Sequence, residues 1–350
     1  MASAGIKPST MRAVQYSSYG GGGVSLKFVE IPVPSLKKDQ VLIKVEAASL
    51  NPADYKVQQG MLRPFVPKFP FVPVTDVAGE IAEVGSEVIE FKVGDKVVAA
   101  LKFWVTSNRR IFSIPFSSER RRYAIAFNFV SFMKDDMQLQ KAGGLAEYVA
   151  ASGSLTVLRP DGVSAAEAAG LPMAGLTALQ ALKAIGTQFN GTGSGSNILI
   201  TAASGGVGTY AVQLAKLGNH NVTATCGARN LELVTSMGAD EVLDYKTPEG
   251  AALKNSSGKK YDYIVNNAKG GKWSAFKPTL SSRGRVVDVA PPSFGNVVAW
   301  ILTRFTKKKI SVFLMSLTMG ELRFLLELVN EGKLKTHYGT LTCASKRHNF

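Results

Sequence analysis

The chain has 350 residues, 45% of them hydrophobic, enough for about two domains with sizeable cores, and no apolar run approaches the roughly 18 residues a membrane-crossing helix needs. Only two cysteines (Cys226, Cys343) and three histidines (His220, His337, His348) are present, which excludes a disulfide framework or a zinc cluster and implies a metal-free chain in a reducing compartment. The net charge of +15 is concentrated: residues 102–141 hold eight basic and three acidic side chains, and residues 335–350 three basic and none acidic, so nucleic-acid binding is not implied and the mildly basic remainder suits an anionic cofactor or an acidic membrane surface.

Residues 1–10 contain no apolar segment of the kind a secretory signal needs. Residues 11–16 then predict a strand, followed by a turn at Gly20 to Gly23 and a second strand over 24–30. Residues 40–47 alternate as a half-buried strand should, and 77–84 and 95–100 add two more. Short strands without intervening helices predict a β-rich, barrel-like domain over residues 1–163.

Residues 102–141 interrupt it. They contain eight aromatic residues and an Arg120-Arg-Arg122 run but little periodicity, an atypical insertion for a compact domain. The segment reads either as a basic, aromatic loop contacting an anionic membrane or as the product of intron retention or a faulty gene model.

From Ser164 the pattern becomes helical, through residues 165–172 and 177–183, and opens an α/β region extending to residue 318. Residues 197–201 form an apolar, branched run that reads as a buried parallel strand. A small glycine-rich turn follows, then a helix-period pattern over 207–217. This order leaves free backbone N–H groups at a helix N-terminus, where a pyrophosphate binds favourably. Ala202-x-x-Gly205-x-x-Gly208 is a variant dinucleotide fingerprint with alanine in place of the first glycine. Gly205 lets backbone approach phosphate, and Gly208 lets the helix pack closely on the strand.

Strands over 221–225, 241–244, 262–267 and 284–290, with a helix over 230–237, continue the alternation and predict a doubly wound parallel sheet with ligand at its carboxyl ends. An NAD site would place a carboxylate at the end of the second strand. Here the stretch reads Thr225-Cys226-Gly227-Ala228-Arg229-Asn230, with no acid before Glu232. A guanidinium in place of the carboxylate suits a 2′-phosphate, so the expected cofactor is NADPH. Residues 309–315 predict an edge strand through which two copies form a homodimer. Residues 321–331 predict an amphipathic helix, within a C-terminal return segment over 319–350.

Several motifs together resemble the medium-chain dehydrogenase/reductase superfamily, in its zinc-free quinone oxidoreductase branch. They are Leu50-Asn-Pro-Ala-Asp-Tyr-Lys56, Thr75-Asp-Val-Ala-Gly-Glu-Ile-Ala-Glu-Val-Gly85, Phe91-Lys-Val-Gly-Asp-Lys-Val97, Gly143-Gly-Leu-Ala-Glu-Tyr-Val149, Leu171-Pro-Met-Ala-Gly-Leu-Thr-Ala178 and Ala203-Ser-Gly-Gly-Val-Gly208. Ala224-Thr-Cys-Gly-Ala-Arg-Asn230 and Asp244-Tyr-Lys-Thr-Pro-Glu-Gly250 are most similar to the plant chloroplast-envelope homologues of that branch.

The resemblance implies a GroES-like barrel domain beside a Rossmann nucleotide-binding domain. It implies NADPH-dependent hydride transfer to an α,β-unsaturated ketone or quinone-like acceptor, including oxylipin-derived ketones. It also implies a place in the chloroplast, peripheral to the inner envelope membrane, with a cytoplasmic location as the alternative. By family position Asn51 and Lys56 line the nicotinamide cleft, Lys56 as donor to a ribose hydroxyl or the substrate oxygen. Thr177, Val289 and Ala290 meet the nicotinamide. Ala203, Ser204, Gly205, Gly206, Val207 and Gly208 hold the phosphates, and Cys226, Arg229, Tyr245 and Asn267 complete the cofactor site. Asp54 and Asp95 read as turn and barrel-stabilising residues. Relatives continue after residue 335 with a helix and a strand returning to the barrel, which residues 336–350 do not match. The competing reading is therefore a nucleotide-binding, catalytically weak splice-type isoform with a structural or membrane-associated role. Without a Tyr-x-x-x-Lys pair, a short-chain dehydrogenase is disfavoured.

Overall fold

The computed structural model describes residues 8–61, 63, 69–101, 143–193, 195–290 and 293–339. The expectations for residues 102–141 and for the last eleven residues lie outside these.

Two strand systems of opposite logic make the molecule. In the first, β1 (Thr10–Gln15) and β2 (Lys27–Pro32) form an antiparallel pair beside a five-stranded antiparallel sheet. That sheet runs in the order β6 (Tyr148–Ser152), β3 (Gln40–Ser49), β4 (Asp76–Val84), β5 (Lys96–Ala100) and β7 (Thr156–Leu158). The expected strand start at Val24 is corrected: Gly22–Ser25 is a 3₁₀ turn, preceded by Gly20 and Gly21 at positive φ. Only glycines follow that path without cost, and β2 begins once it ends. β3 also departs from simple alternation. Flanked by β6 and β4, its first four residues are all buried, Leu42 on the face opposite Val41 and Ile43.

The second system is an all-parallel sheet in the order β10 (Glu241–Asp244), β9 (Asn221–Cys226), β8 (Asn197–Ile200), β11 (Tyr261–Asn266), β12 (Leu280–Asp288) and β13 (Lys309–Val312). The order reverses between β8 and β11, so the crevice for a ligand opens above the carboxyl ends of those two strands. β8 is buried at Ile198, Leu199 and Ile200, as a strand covered by helices on both faces must be. The Gly206–Leu217 helix lies on one face, burying Tyr210, Ala211, Val212, Leu214 and Ala215.

A continuous apolar core joins the systems. Ala78, Val98 and Val157 of the barrel strands belong to one cluster with Leu171, Leu176 and Leu179, and with Leu322, Leu325 and Leu326 of the Met319–Asn330 helix. Within the antiparallel system the buried Arg159 guanidinium, just past β7, meets Glu46 of β3 at 2.6 Å. His220 is structural, its Nε2 sharing a 3.0 Å hydrogen bond with Thr187 in the core.

Candidate functional site

The glycine turn sits at the mouth of the crevice. Ala202, where the fingerprint has its first glycine, keeps the left-handed conformation with φ 49°. Gly205 is the N-cap of the Gly206–Leu217 helix and offers no side chain to its amides. The first-turn N–H groups of Gly206, Val207 and Gly208 therefore have no side-chain acceptor among the described residues. A Cβ added at Gly205 would meet only Ala202 O, at 3.3 Å, and one at Gly206 only the Ala174 side chain, at 3.7 Å. At Gly208 it would lie 2.4 Å from Ala202 O and 2.6 Å from Ala203 Cα. Two glycines leave room for a ligand, and the third lets helix and strand touch. Ala203 is fully buried beneath the turn. The Ser204 hydroxyl accepts from Asn230 Nδ2 at 3.0 Å, tying the turn to the loop after β9.

That loop carries Arg229, exposed in a short 3₁₀ turn (Ala228–Asn230). Tyr245, just past β10, is 54% exposed, with its ring edge 3.5 Å from where a Gly227 Cβ would stand. The Tyr245 N–H donates to Cys226 O at 3.1 Å. The Cys226 side chain is buried in the main core, so backbone is what this residue turns to the crevice. Its thiol is pushed up by burial and by the Asp244 charge.

On the other side of the switch point a buried polar chain closes the ends of β8, β11 and β12. Thr201 Oγ1 donates to Asn266 Oδ1 at 2.7 Å, and Asn266 Nδ2 donates to Asp288 Oδ1 at 2.7 Å. Asn296 Nδ2 donates to Asp288 Oδ2 at 2.8 Å. Burial raises the Asp288 carboxyl, and those two amides oppose the rise. The network holds Asn267, which donates through its backbone to Thr201 Oγ1 and through Nδ2 to Thr201 O, at 3.0 and 3.1 Å. Asn267 Oδ1 is buried and has no hydrogen-bond partner among the described residues. An orphaned buried acceptor costs about 1–3 kcal/mol, a cost removed by a ligand that donates to it. Val289 and Ala290 follow β12, their amides donating to Asn266 O at 2.9 and 3.2 Å.

The barrel side supplies Asn51 and Lys56. Asn51 begins the Pro52–Gln58 helix, and its backbone N–H donates to Asp54 Oδ2 at 2.8 Å. Asp54 Oδ1 accepts from Val74 N at 3.1 Å. Val74 is fully buried at φ 77°, a conformation a β-branched residue adopts only when its surroundings impose it. Asn51 Nδ2 donates to Asp76 Oδ2 at 3.0 Å. Lys56 is partly exposed. Its ammonium is destabilised by partial burial and then by the charge of Lys269, on the loop after β11. The two cations are near enough to repel each other. Thr177 is buried, its hydroxyl donating to Met173 O at 2.6 Å. Asp95 serves a turn, accepting from Lys92 N at 2.9 Å.

The expected residues lie on both strand systems, the glycine turn, Arg229, Tyr245, Asn267, Val289 and Ala290 following the parallel strands and Asn51 and Lys56 on the antiparallel side, where Asn51 is tied through Asp76 to Met173. Sequence reading missed Asp76, Lys269 and the Asn266–Asp288–Asn296 chain. Carboxylates within otherwise apolar strands were the available signal. The bare amides, the glycine-lined gap, the exposed Arg229 and the orphaned Asn267 Oδ1 fit a nicotinamide dinucleotide with its phosphates at the turn. Among the described residues no group of three or more His, Cys, Asp or Glu side chains could hold a metal ion.

Comparisons with known proteins agree with this fold. Residues 37–161 match the alcohol dehydrogenase GroES-like domain family, and residues 237–344 the zinc-binding dehydrogenase family. The chain is 53% identical over 329 residues to a chloroplastic quinone-oxidoreductase, QR1, of Triphysaria versicolor, covering 93% of this chain and 89% of the relative. It is 37% identical to a chloroplastic NADPH-dependent alkenal/one oxidoreductase of Arabidopsis thaliana, over 83% of this chain and 66% of that one. The solved quinone oxidoreductase of Coxiella burnetii superposes with a TM-score of 0.72 at 28% identity, covering 93% of this chain and 89% of that one.

Proposed function

We propose, from the premise that this chain belongs to the medium-chain dehydrogenase/reductase superfamily as a quinone oxidoreductase homologue, that this oxidoreductase uses NADPH to reduce the carbon–carbon double bond of an α,β-unsaturated ketone or quinone-like acceptor. The observation that carries the reading is the uncapped helix N-terminus at Gly205–Gly208 with Arg229 where an NAD site would have a carboxylate.

Bound at the crevice, NADPH would supply a hydride. The chain's own residues do the rest. The amides of Gly206, Val207 and Gly208 hold the phosphates with the help of the helix dipole. Arg229 pairs with the 2′-phosphate, and Tyr245 covers the adenine end. Asn267 Oδ1 takes a hydrogen bond from the nicotinamide side, which Thr177, Val289 and Ala290 border. Lys56 donates to the acceptor's carbonyl oxygen as negative charge develops there, with Asn51 fixing the wall beside it.

Stopped-flow mixing of protein, NADPH and a short enone should show the nicotinamide absorbance fall. A bound but unoxidised coenzyme would favour the structural-isoform alternative. In the same assay Arg229→Ala is expected to lower kcat/KM with NADPH about 10- to 100-fold and leave NADH nearly untouched, the scale of one lost charge-assisted contact. Equal effects on both coenzymes would remove Arg229 from the 2′-phosphate site.

The partner small molecule is an enone or quinone-like acceptor, oxylipin-derived ketones included. A chloroplast location is inferred from the chloroplastic relatives, with peripheral contact to an anionic envelope surface. No helix among the described residues is long and apolar enough to cross a membrane. Homodimerisation is inferred through β13, the edge strand of the parallel sheet among the described residues, next to the exposed Ile301, Leu302 and Phe305. Sedimentation at micromolar concentration should report a dimer, and a Leu302→Asp/Phe305→Asp variant a monomer. A monomeric wild type would end that inference.

A further inference from the structure

The buried carboxylate of Asp76 is unused by the mechanism above, yet it stands where the two strand systems meet. It begins β4 and is 1% exposed. Oδ2 accepts two hydrogen bonds from opposite sides of the seam, 3.0 Å from Asn51 Nδ2 and 2.9 Å from Met173 N. Oδ1 accepts from Thr75 Oγ1 at 3.1 Å. Met173 lies in a π-helical turn, Leu171–Gly175, that runs directly into the Leu176–Lys183 helix. The carboxylate therefore sits at the N-terminal end of a continuous helical segment, where its charge is favoured. Met173 O in turn accepts from Thr177 Oγ1. One carboxylate thus connects Asn51, on the acceptor wall, with Thr177, on the nicotinamide wall.

We propose that Asp76 is a positioning residue for hydride transfer, clamping Asn51 and the Leu171–Gly175 turn so that the acceptor wall and the nicotinamide wall keep a fixed separation. The inference rests on the function proposed above. Hydride transfer depends steeply on the placement of the reacting atoms, so loosening either side lowers kcat more than it weakens binding. Ionised, Asp76 makes charge-assisted bonds to both donors. Protonated, it holds them as a neutral acceptor and more weakly.

Burial pushes this carboxyl up to about 7, against the donors Met173 N–H, Asn51 and Thr75, with the Asp54 charge adding to the rise. The titratable groups facing it are Asp54, on the Pro52–Gln58 helix, and the Tyr210 hydroxyl, on the Gly206–Leu217 helix. Burial raises the Tyr210 hydroxyl, which stays neutral. Below neutrality the clamp is protonated and slack, and above it the clamp is charged and tight.

The test is the pH profile of enone reduction by wild type and Asp76→Asn. Asparagine keeps the shape: its carbonyl oxygen can accept from Asn51 and Met173, and its amide can donate to Thr75. It fixes the clamp in a neutral form. Wild-type kcat is expected to rise through about pH 7 and to level towards about pH 8.5. Asp76→Asn should match wild type near pH 5.5 and fall about tenfold below it near pH 8.5, with KM for the acceptor changed less than kcat. Thr75→Val removes one donor to the carboxylate and should move the wild-type inflection to higher pH, which a merely structural role for Asp76 would not produce. A flat wild-type profile, a variant-to-wild-type ratio constant with pH, or an inflection unmoved in Thr75→Val overturns the positioning role while wild-type turnover leaves the proposed function standing. Absence of wild-type turnover with every enone and quinone overturns the function, and the positioning role with it.

Discussion

Gly208→Ala is expected to lower the melting temperature by several degrees and to abolish NADPH binding at concentrations that saturate the wild type. The added methyl would fall 2.4 Å from Ala202 O, 2.6 Å from Ala203 Cα and 2.7 Å from Ala203 O, all backbone atoms. Side chains can swing away from such a contact. Backbone between a buried strand and a buried helix cannot, so the helix must lift off the turn. Overpacking of this kind costs roughly 1–3 kcal/mol, occasionally more, and the lifted helix carries its phosphate-binding amides with it. Gly205→Ala is the matched control. Its φ of −83° is open to alanine and its methyl meets only one atom, at 3.3 Å. It should keep the wild-type melting temperature while losing coenzyme affinity, because the methyl fills the cradle itself. Differential scanning calorimetry and coenzyme fluorescence titration on both variants check this. Equal stability losses at the two positions would show that the crevice has been assigned to the wrong side of the turn.

Lys56→Met is expected to cut kcat for enone reduction by about 100-fold, the scale found when one preorganised donor to a developing oxyanion is removed. Coenzyme dissociation constants should change far less if the lysine acts on the acceptor. A change confined to coenzyme affinity would instead assign it to the ribose hydroxyl, and unchanged turnover at every acceptor would remove both roles. Partial burial and the Lys269 charge hold the amine below the ordinary lysine value, so it surrenders its proton earlier than a free lysine on raising the pH. Wild-type kcat should therefore decline on the alkaline side below about pH 10.4, the value of an unperturbed lysine. Lys269→Gln, which removes the second cation, should move that decline to higher pH. Kinetics with a neutral enone across pH 7 to 10.5 decide it.

Much of the parallel sheet was legible from residue order alone. The run at 197–201, the glycine turn and the helix pattern each depend on local chemistry, and β10 (Glu241–Asp244) begins and ends where its residues predicted. The glycine turn was legible for the same reason, since Gly205 as N-cap and Gly208 against Ala202 and Ala203 act through backbone freedom within one strand–turn–helix unit. Residues 24–26 were misjudged as strand because their branched and apolar side chains favour one, while three positive-φ glycines beside them impose a turn.

Tertiary structure alone decided what joins the halves. Nothing within a few residues of Asp76 announces that Asn51, 25 positions earlier, and Met173, 97 positions later, will share its oxygen. Nor does the stretch around Lys269 show that its charge will act on Lys56. Sequence by itself set the strand–turn–helix unit, because its conformations and charges are properties of neighbours along the chain. The seam and its buried carboxylate come from packing two sheets together, and the Asn267 oxygen from burial at the ends of the parallel strands, where burial rather than residue type sets the strength of a charge or hydrogen bond.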